Sequence, residues 1–369
     1  MRADRIGRKT VKGLLSAILV LCGSAAMADD AIPPTKLVYA TQATPTSTIV
    51  KTDRWFMEEV TKRSGGKITF EVYTAGSLLP AQDLFPGLAR GAVDIVTSVP
   101  AAYNPNDYPL SNVILPYITD KVDAATRAFG ELYQTTPSLK QEYEGKGVSM
   151  LWTYAGVEST LWTYKPVRTA ADLQGMRIRS VQGIAAAFSI LGATPVPMSP
   201  TEAVEAFKRR AIDGLSSLPF DSSVGLGLHK IGDYVSDGGG MGVYATWITA
   251  VNTRKFSSLA PKAQAIIKEV AREVPDYYLR QIDEIIAAHA ELLIKDGGKL
   301  TAILTSDAEK AVWREKVADQ LQKKWLETTA AKGLNGQEVL DNYIALVRKY
   351  EKTSTYKTGV ELYFSKAAR

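Results

Sequence analysis

Apolar positions along this chain switch repeatedly between a period of two and a period near 3.6, and that alternation predicts the elements. Residues 36–41 read as a strand. Residues 48–64 carry Ile49, Trp55, Phe56 and Val60 at helical intervals, and Gly65-Gly66 stops that helix. Residues 67–75 alternate through Ile68, Phe70 and Val72, followed by a helix at 81–90 and a strand at 92–99. This β-α-β-α-β order predicts an α/β sheet with parallel neighbours. A Tyr-, Asn- and Pro-rich loop fills 100–116, and one or two helices cover 121–144. Strands follow at 147–154 and 159–165. A second sheet is expected to hold 176–179, 214–218 and the return strand 243–251, with helices at 184–191 and 201–210 between them. Residues 259–295 form one long helix whose stripe of Ile267, Val270, Val274, Tyr278, Ile282, Ile285, His289 and Leu293 is interrupted by Pro275, where a kink is expected. Trp313, Val317, Leu321 and Trp325, four apart, predict another amphipathic helix at 307–331, and the tail from 336 adds a helix and the aromatic end 356–364.

The N-terminus alters the reading of composition. Arg2, Arg5, Arg8, Lys9 and Lys12 precede an apolar run from Leu14 to Leu21 and the small residues leading to Ala26-Met27-Ala28. This three-part pattern is that of a secretory signal peptide cleaved after Ala28. The run is too short for a bilayer span, which takes roughly 20 apolar residues. Leu21 stands where a lipid anchor on Cys22 requires a small residue. The first 28 residues carry five of the 44 Lys/Arg and one of the 39 Asp/Glu, so the mature chain is nearly neutral. Nucleic-acid binding gains no support from that balance. Cys22 is the only cysteine, so the mature chain is stabilised by its core without disulfides.

Enzymatic motifs are missing. The only histidines are His229 and His289, no H-E-x-x-H or G-x-S-x-G occurs, and loss of Cys22 removes thiolate chemistry. Ser64-Gly65-Gly66-Lys67 has S-x-x-K spacing without the accompanying motifs, and Gly238-Gly239-Gly240 lacks a following lysine. No catalytic residue, metal site or cofactor is assigned.

The stretch from Asp172 to Pro219 carries the chemistry. Met176-Arg177-Ile178-Arg179 is a short basic strand running into Ser180-Val181-Gln182-Gly183 and an apolar helix. An arginine at a strand end before a helix can give two parallel hydrogen bonds to one carboxylate. Alternation puts Arg177 and Arg179 on the same face, so the pattern alone does not choose between them. The order L-x-G-M-x-I-R, Gly192-Ala193-Thr194-Pro195-Val196-Pro197-Met198, Ser199-x-x-Glu202 and Ala211-Ile212-Asp213-Gly214 resembles the DctP-type solute-binding proteins of TRAP transporters, the tripartite ATP-independent uptake systems of bacteria. Arg63 to Ile68, Leu88 to Asp94 and Leu115-Pro116-Tyr117 fit the same family, so the resemblance covers nearly the whole mature chain.

The resemblance implies a two-lobed, type II-like α/β periplasmic binding protein with crossing hinge strands and a long helix spanning both lobes. Residues 29–153 and 243–280 would form one lobe and 154–242 and 281–369 the other, with 259–295 shared. It places the ligand-binding arginine second in the motif, at Arg179, and puts Gln182 either against the ligand or at the helix cap. Ser217 stands where relatives have the asparagine of D-G-x-x-N, and Glu158-Ser159-Thr160 where sialic-acid binders have a second arginine. One ligand carboxylate is therefore expected. Trp152, Tyr244 and Trp247, near the crossing strands, suit an aromatic or branched monocarboxylate or, individually, the core. Thr41, Gln42 and Ser98 lie near strand ends of the first lobe, where ligands sit in open α/β sheets. The implied partners are a small organic acid and the small and large TRAP membrane subunits, usually driven by a sodium gradient, with the protein itself a monomer. Two other readings stay open: a periplasmic sensor subunit for a signalling receptor, and a hydrolase on a binding-protein fold.

Overall fold

The computed structural model describes residues 31–45, 47–296 and 298–367, without the side chains of Ser98 and Gln182. The expected signal peptide, residues 1–28, lies outside the described residues. Eleven strands are seen among them: β1 Thr35–Thr41, β2 Ile68–Tyr73, β3 Ile95–Val99, β4 Val148–Ala155, β5 Leu161–Thr163, β6 Arg177–Arg179, β7 Thr194–Pro195, β8 Gly214–Leu215, β9 Tyr234–Ser236, β10 Thr246–Asn252 and β11 Thr301–Ile303. They form one sheet in the order β2-β1-β3-β10-β4 and another in the order β11-β9-β5-β8-β6-β7. β1 is parallel to both β2 and β3, as the βαβαβ pattern predicts. The return strand departs from expectation. β10 belongs to the first sheet, antiparallel between β3 and β4, rather than to the second.

Local signals explain the helices that flank the sheets. Helix Thr48–Arg63 starts where the Ser47 side chain accepts from the Val50 backbone N–H, and it buries Val50, Phe56, Met57 and Val60. Helix Pro200–Lys208 begins with a capping box, in which Ser199 and Glu202 each satisfy the other's backbone donor. Helix Pro261–Asp296 runs through Pro275 as one element of 36 residues, about 54 Å at 1.5 Å per residue. It packs on helix Thr48–Arg63 and β4 at one side and on helices Phe220–Gly225 and Gly359–Ala367 at the other. The stripe Trp313, Val317, Leu321 and Trp325 of helix Asp307–Ala330 is buried as its spacing predicts. Helix Gly336–Glu351 packs against helix Val122–Thr135, so the C-terminal quarter of the chain touches both halves of the molecule.

Besides the stretch from β10 to β11, which contains helix Pro261–Asp296, two short segments carry the chain between the sheets, residues 156–160 after β4 and residues 237–245 before β10. They run side by side. Gly156 N–H donates to the Ala245 carbonyl and Ser159 N–H to the Gly242 carbonyl, both at 3.0 Å. The C-terminal segment is fastened to this ribbon through Glu158, whose carboxyl accepts from the Tyr356 hydroxyl at 2.5 Å and the Gly359 N–H at 2.7 Å. Burial pushes the Glu158 pKa up to about 8 against those hydrogen bonds, and burial likewise raises Asp53, beneath the first sheet, to about 8.

These two carboxyls give stability a pH dependence of definite sign. Both are neutral in the fold at pH 7 and ionised in the unfolded chain, so the native state binds the extra protons. Their contribution is complete below the ordinary carboxyl range and is lost as pH rises towards about 8. Denaturant unfolding of wild type between pH 5 and 8, about the window of the two shifts, should show falling stability, and Glu158→Gln should flatten part of that slope. An unchanged slope in Glu158→Gln would show that Glu158 is ionised in the fold.

Candidate functional site

The end of β6 delivers Arg179 to the interior, with 4% of its surface exposed. Its guanidinium is held by backbone carbonyls. Nε and Nη2 donate to the Met198 carbonyl at 3.1 and 3.0 Å, and Nη1 donates to the Ser216 and Ser217 carbonyls, each at 3.0 Å. Met198 ends the Pro195-Val196-Pro197-Met198 run that starts at the last residue of β7, and its two prolines restrict the backbone that presents this carbonyl. Among the described residues no carboxylate pairs with Arg179, and burial lowers its pKa with the neighbouring Tyr244 opposing the shift. The result is an oriented cation without a counter-charge. The two-bonded carboxylate grip expected of the sequence meets a constraint here. Nη2 has one N–H left beyond its bond to Met198, so a second bond to a carboxylate requires release of a carbonyl.

Arg177, two residues earlier, is exposed and forms a two-bonded pair with Asp213, with Nε to Oδ2 and Nη2 to Oδ1 both at 3.0 Å. Geometry thus separates two arginines that alternation left equivalent. Arg177→Ala is expected to change ligand affinity by less than about twofold, measured by calorimetric titration, because the pair is solvent-exposed. A tenfold loss, on the order expected for a buried contact, would place Arg177 at the site.

Ser217 is drawn into Arg179's support. Its carbonyl accepts from Arg179 and, at 3.3 Å, from the Tyr244 hydroxyl, while its Oγ accepts from the Val181 N–H at 3.0 Å. Its φ of 55° lies in the left-handed region, and this turn ends β8 at Leu215, short of the expected 218. Gln182 is the first residue of helix Gln182–Ile190, immediately after Val181. Its side chain, like that of Ser98 in β3, lies outside the described residues.

The aromatic candidates divide. Tyr244 is half-buried beside Arg179, and Trp247 is half-buried on β10 with its ring 6.3 Å from that of Tyr154. Trp247 also abuts the crossing segment, since a Cβ added at Gly156 would come within 2.5 Å of the rim of its ring. Trp152 is buried in the first sheet's core, 4.6 Å between ring centroids from Phe56. Thr41, at the end of β1, is buried and its Oγ1 accepts from the Ala43 N–H at 3.1 Å, while Gln42 beside it is half-buried.

Sequence reasoning passed over two residues. Asp221 opens helix Phe220–Gly225, four positions after Ser217, and its Oδ1 is buried without a hydrogen-bond partner. Tyr103, four residues after β3, adds to the upward shift of Tyr244, whose main cause is burial.

Two α/β sheets joined by paired crossing segments, with a buried guanidinium at a strand end of the second sheet that no carboxylate pairs among the described residues, define a two-lobed solute-binding protein. The model of the DctP family, bacterial extracellular solute-binding protein family 7, matches residues 39–328, and the chain belongs to that family. It is 23% identical over 320 residues to the 2,3-diketo-L-gulonate-binding periplasmic protein of Escherichia coli, covering 84% of this chain and 92% of that one. A TRAP periplasmic solute-binding protein from Desulfovibrio salexigens, solved in an open complex with the C-terminus of a symmetry mate in its ligand site, superposes with a TM-score of 0.79 at 27% identity, covering 87% of this chain and 98% of that one. The TRAP solute-binding protein of Rhodoferax ferrireducens, solved with copurified benzoate, gives a TM-score of 0.73 at 25% identity, covering 86% of this chain and 99% of that one.

Proposed function

We propose that this protein is exported to the periplasm with loss of residues 1–28, captures a small aromatic or branched monocarboxylate between its lobes, and delivers it to the small and large membrane subunits of a TRAP transporter. Residues 29–153 and 243–280 make up one lobe in this reading and 154–242 and 281–369 the other. The observation that carries it is Arg179, a buried guanidinium held by three carbonyls with no carboxylate partner among the described residues. Taking such a cation out of water is costly, and a ligand carboxylate supplies the missing charge. Tyr244 and Trp247 line the remainder, with Gln182 and Ser217 orienting polar groups and Trp152, Thr41, Gln42 and Ser98 further out. Benzoate in the Rhodoferax relative and a chain terminus in the Desulfovibrio relative support a carboxylate as the recognised group. The protein acts as a binder, without catalysis, as a monomer.

A thermal-shift screen of residues 29–369 against organic acids, sugars and amines tests this reading. An acid at a hundredfold over its Kd should stabilise by about 2.7 kcal/mol. Stabilisation by sugars or amines and by no acid would overturn it.

A further inference from the structure

The loop that anchors Arg179 also carries an acid with one unpartnered oxygen. From Ser217, whose carbonyl holds both Arg179 and Tyr244, the chain passes through Leu218 and Pro219 to Asp221. Pro219 is fixed to the crossing segment by its bridge to Ser159, and the Phe220 N–H donates to the Glu158 carbonyl at 3.2 Å. Asp221 therefore sits on a braced turn rather than on a free loop. Its Oδ1 is buried without a hydrogen-bond partner, and among the described residues no lysine or arginine pairs with it. The residue as a whole keeps partial exposure, while its Oδ1 is sealed from solvent.

Arg179 and the Tyr244 hydroxyl both donate to the Ser217 carbonyl, four residues before Asp221. Burial dominates the upward shift of the Tyr244 phenol, but Arg179 pulls the other way while Asp221 and Tyr103 add to it. Asp221 adds likewise to the upward shifts of Tyr278 and Tyr356, each dominated by burial. A buried carboxyl oxygen without a partner costs free energy, and a ligand that donates to it removes the cost.

We propose that Asp221 determines specificity by accepting a hydrogen bond from the ligand, so that the acids taken up carry a donor, hydroxyl or ammonium, in addition to their carboxylate. This rests on the reading of Arg179 as the carboxylate anchor. A plain monocarboxylate satisfies the arginine and leaves Asp221 unpaired; a hydroxy or amino acid satisfies both.

Matched acids separate the two claims. Phenylacetate, mandelate, phenylglycine and 3-hydroxyphenylacetate, with isovalerate, 2-hydroxyisovalerate and valine, differ within each set by one donor. Titration calorimetry of residues 29–369 should show at least one donor-bearing acid bound about tenfold or more tighter than its parent, the span expected for a hydrogen bond to a charged group. Asp221→Ala should bring that ratio close to one while the parent acid still binds. Arg179→Ala should weaken parent and derivative alike. The comparison of mandelate with phenylglycine tells hydroxyl from ammonium. A wild type that binds the parents as tightly as every derivative overturns the proposal whether or not the variant folds. So does a tenfold preference that survives in both Asp221→Ala and Asp221→Asn. Acid binding undiminished in Arg179→Ala overturns the anchor reading instead, and no binding of any of these acids overturns both.

Discussion

Replacing Arg179 by alanine is expected to weaken binding of the cognate acid by about 2 to 5 kcal/mol, roughly thirtyfold to several thousandfold in Kd. The loss arises because the ligand carboxylate would enter a dehydrated site without its cation. Arg179→Lys should recover part of it. An ammonium restores the charge but cannot reach the Met198, Ser216 and Ser217 carbonyls with the same planar fork. The alanine variant also releases those three carbonyls, so its thermal midpoint has to be read beside its affinity. Titration calorimetry at a temperature where both proteins are folded separates the effects, and equal Kd values would remove Arg179 from the site.

Gly242→Ala is the second large effect. Gly242 has φ of +69°, and an added Cβ would lie 2.2 Å from the Thr119 carbonyl oxygen, 2.8 Å from its carbon and 3.0 Å from the Asp120 Cα. All three are backbone atoms, so no rotamer change relieves the clash. Left-handed strain and overpacking each cost about 1 to 3 kcal/mol, giving a loss of about 2 to 6 kcal/mol of stability. The damage falls on the hinge, since the Gly242 carbonyl accepts from Ser159 and the next residue's N–H bonds to Thr119. Urea unfolding should give a lower midpoint with little change in slope. A midpoint equal to wild type would mean that the crossing ribbon yields at no cost.

Much of this architecture was legible because it is local. The capping box at Ser199 and Glu202, the four-residue spacing from Trp313 to Trp325, and the alternation that makes β1, β2 and β3 all act within a turn or a strand. Partner choice is not local. β10 reads as a strand from its own residues, but its place between β3 and β4 depends on the chain returning through residues 237–245. The second sheet was harder still, since β7 and β8 hold two residues each and are defined by their neighbours.

The same distinction runs through the site. The motif selected Arg179 over Arg177, but that its donors go to carbonyls follows only from the turn at Ser217 and the loop at Met198. Trp152 and Trp247 are identical in type and both lie near crossing strands. Only the fold puts one against Phe56 and the other on Gly156. Asp221 carries no pattern of its own, and its relevance comes from what surrounds it.

The most direct test of the account is a crystal structure of residues 29–369 with the best-binding acid from the screen. The account predicts the ligand carboxylate within about 3 Å of an Arg179 Nη atom, between the two sheets and beside Tyr244. A carboxylate bound elsewhere, with Arg179 keeping only its three carbonyls, would contradict it.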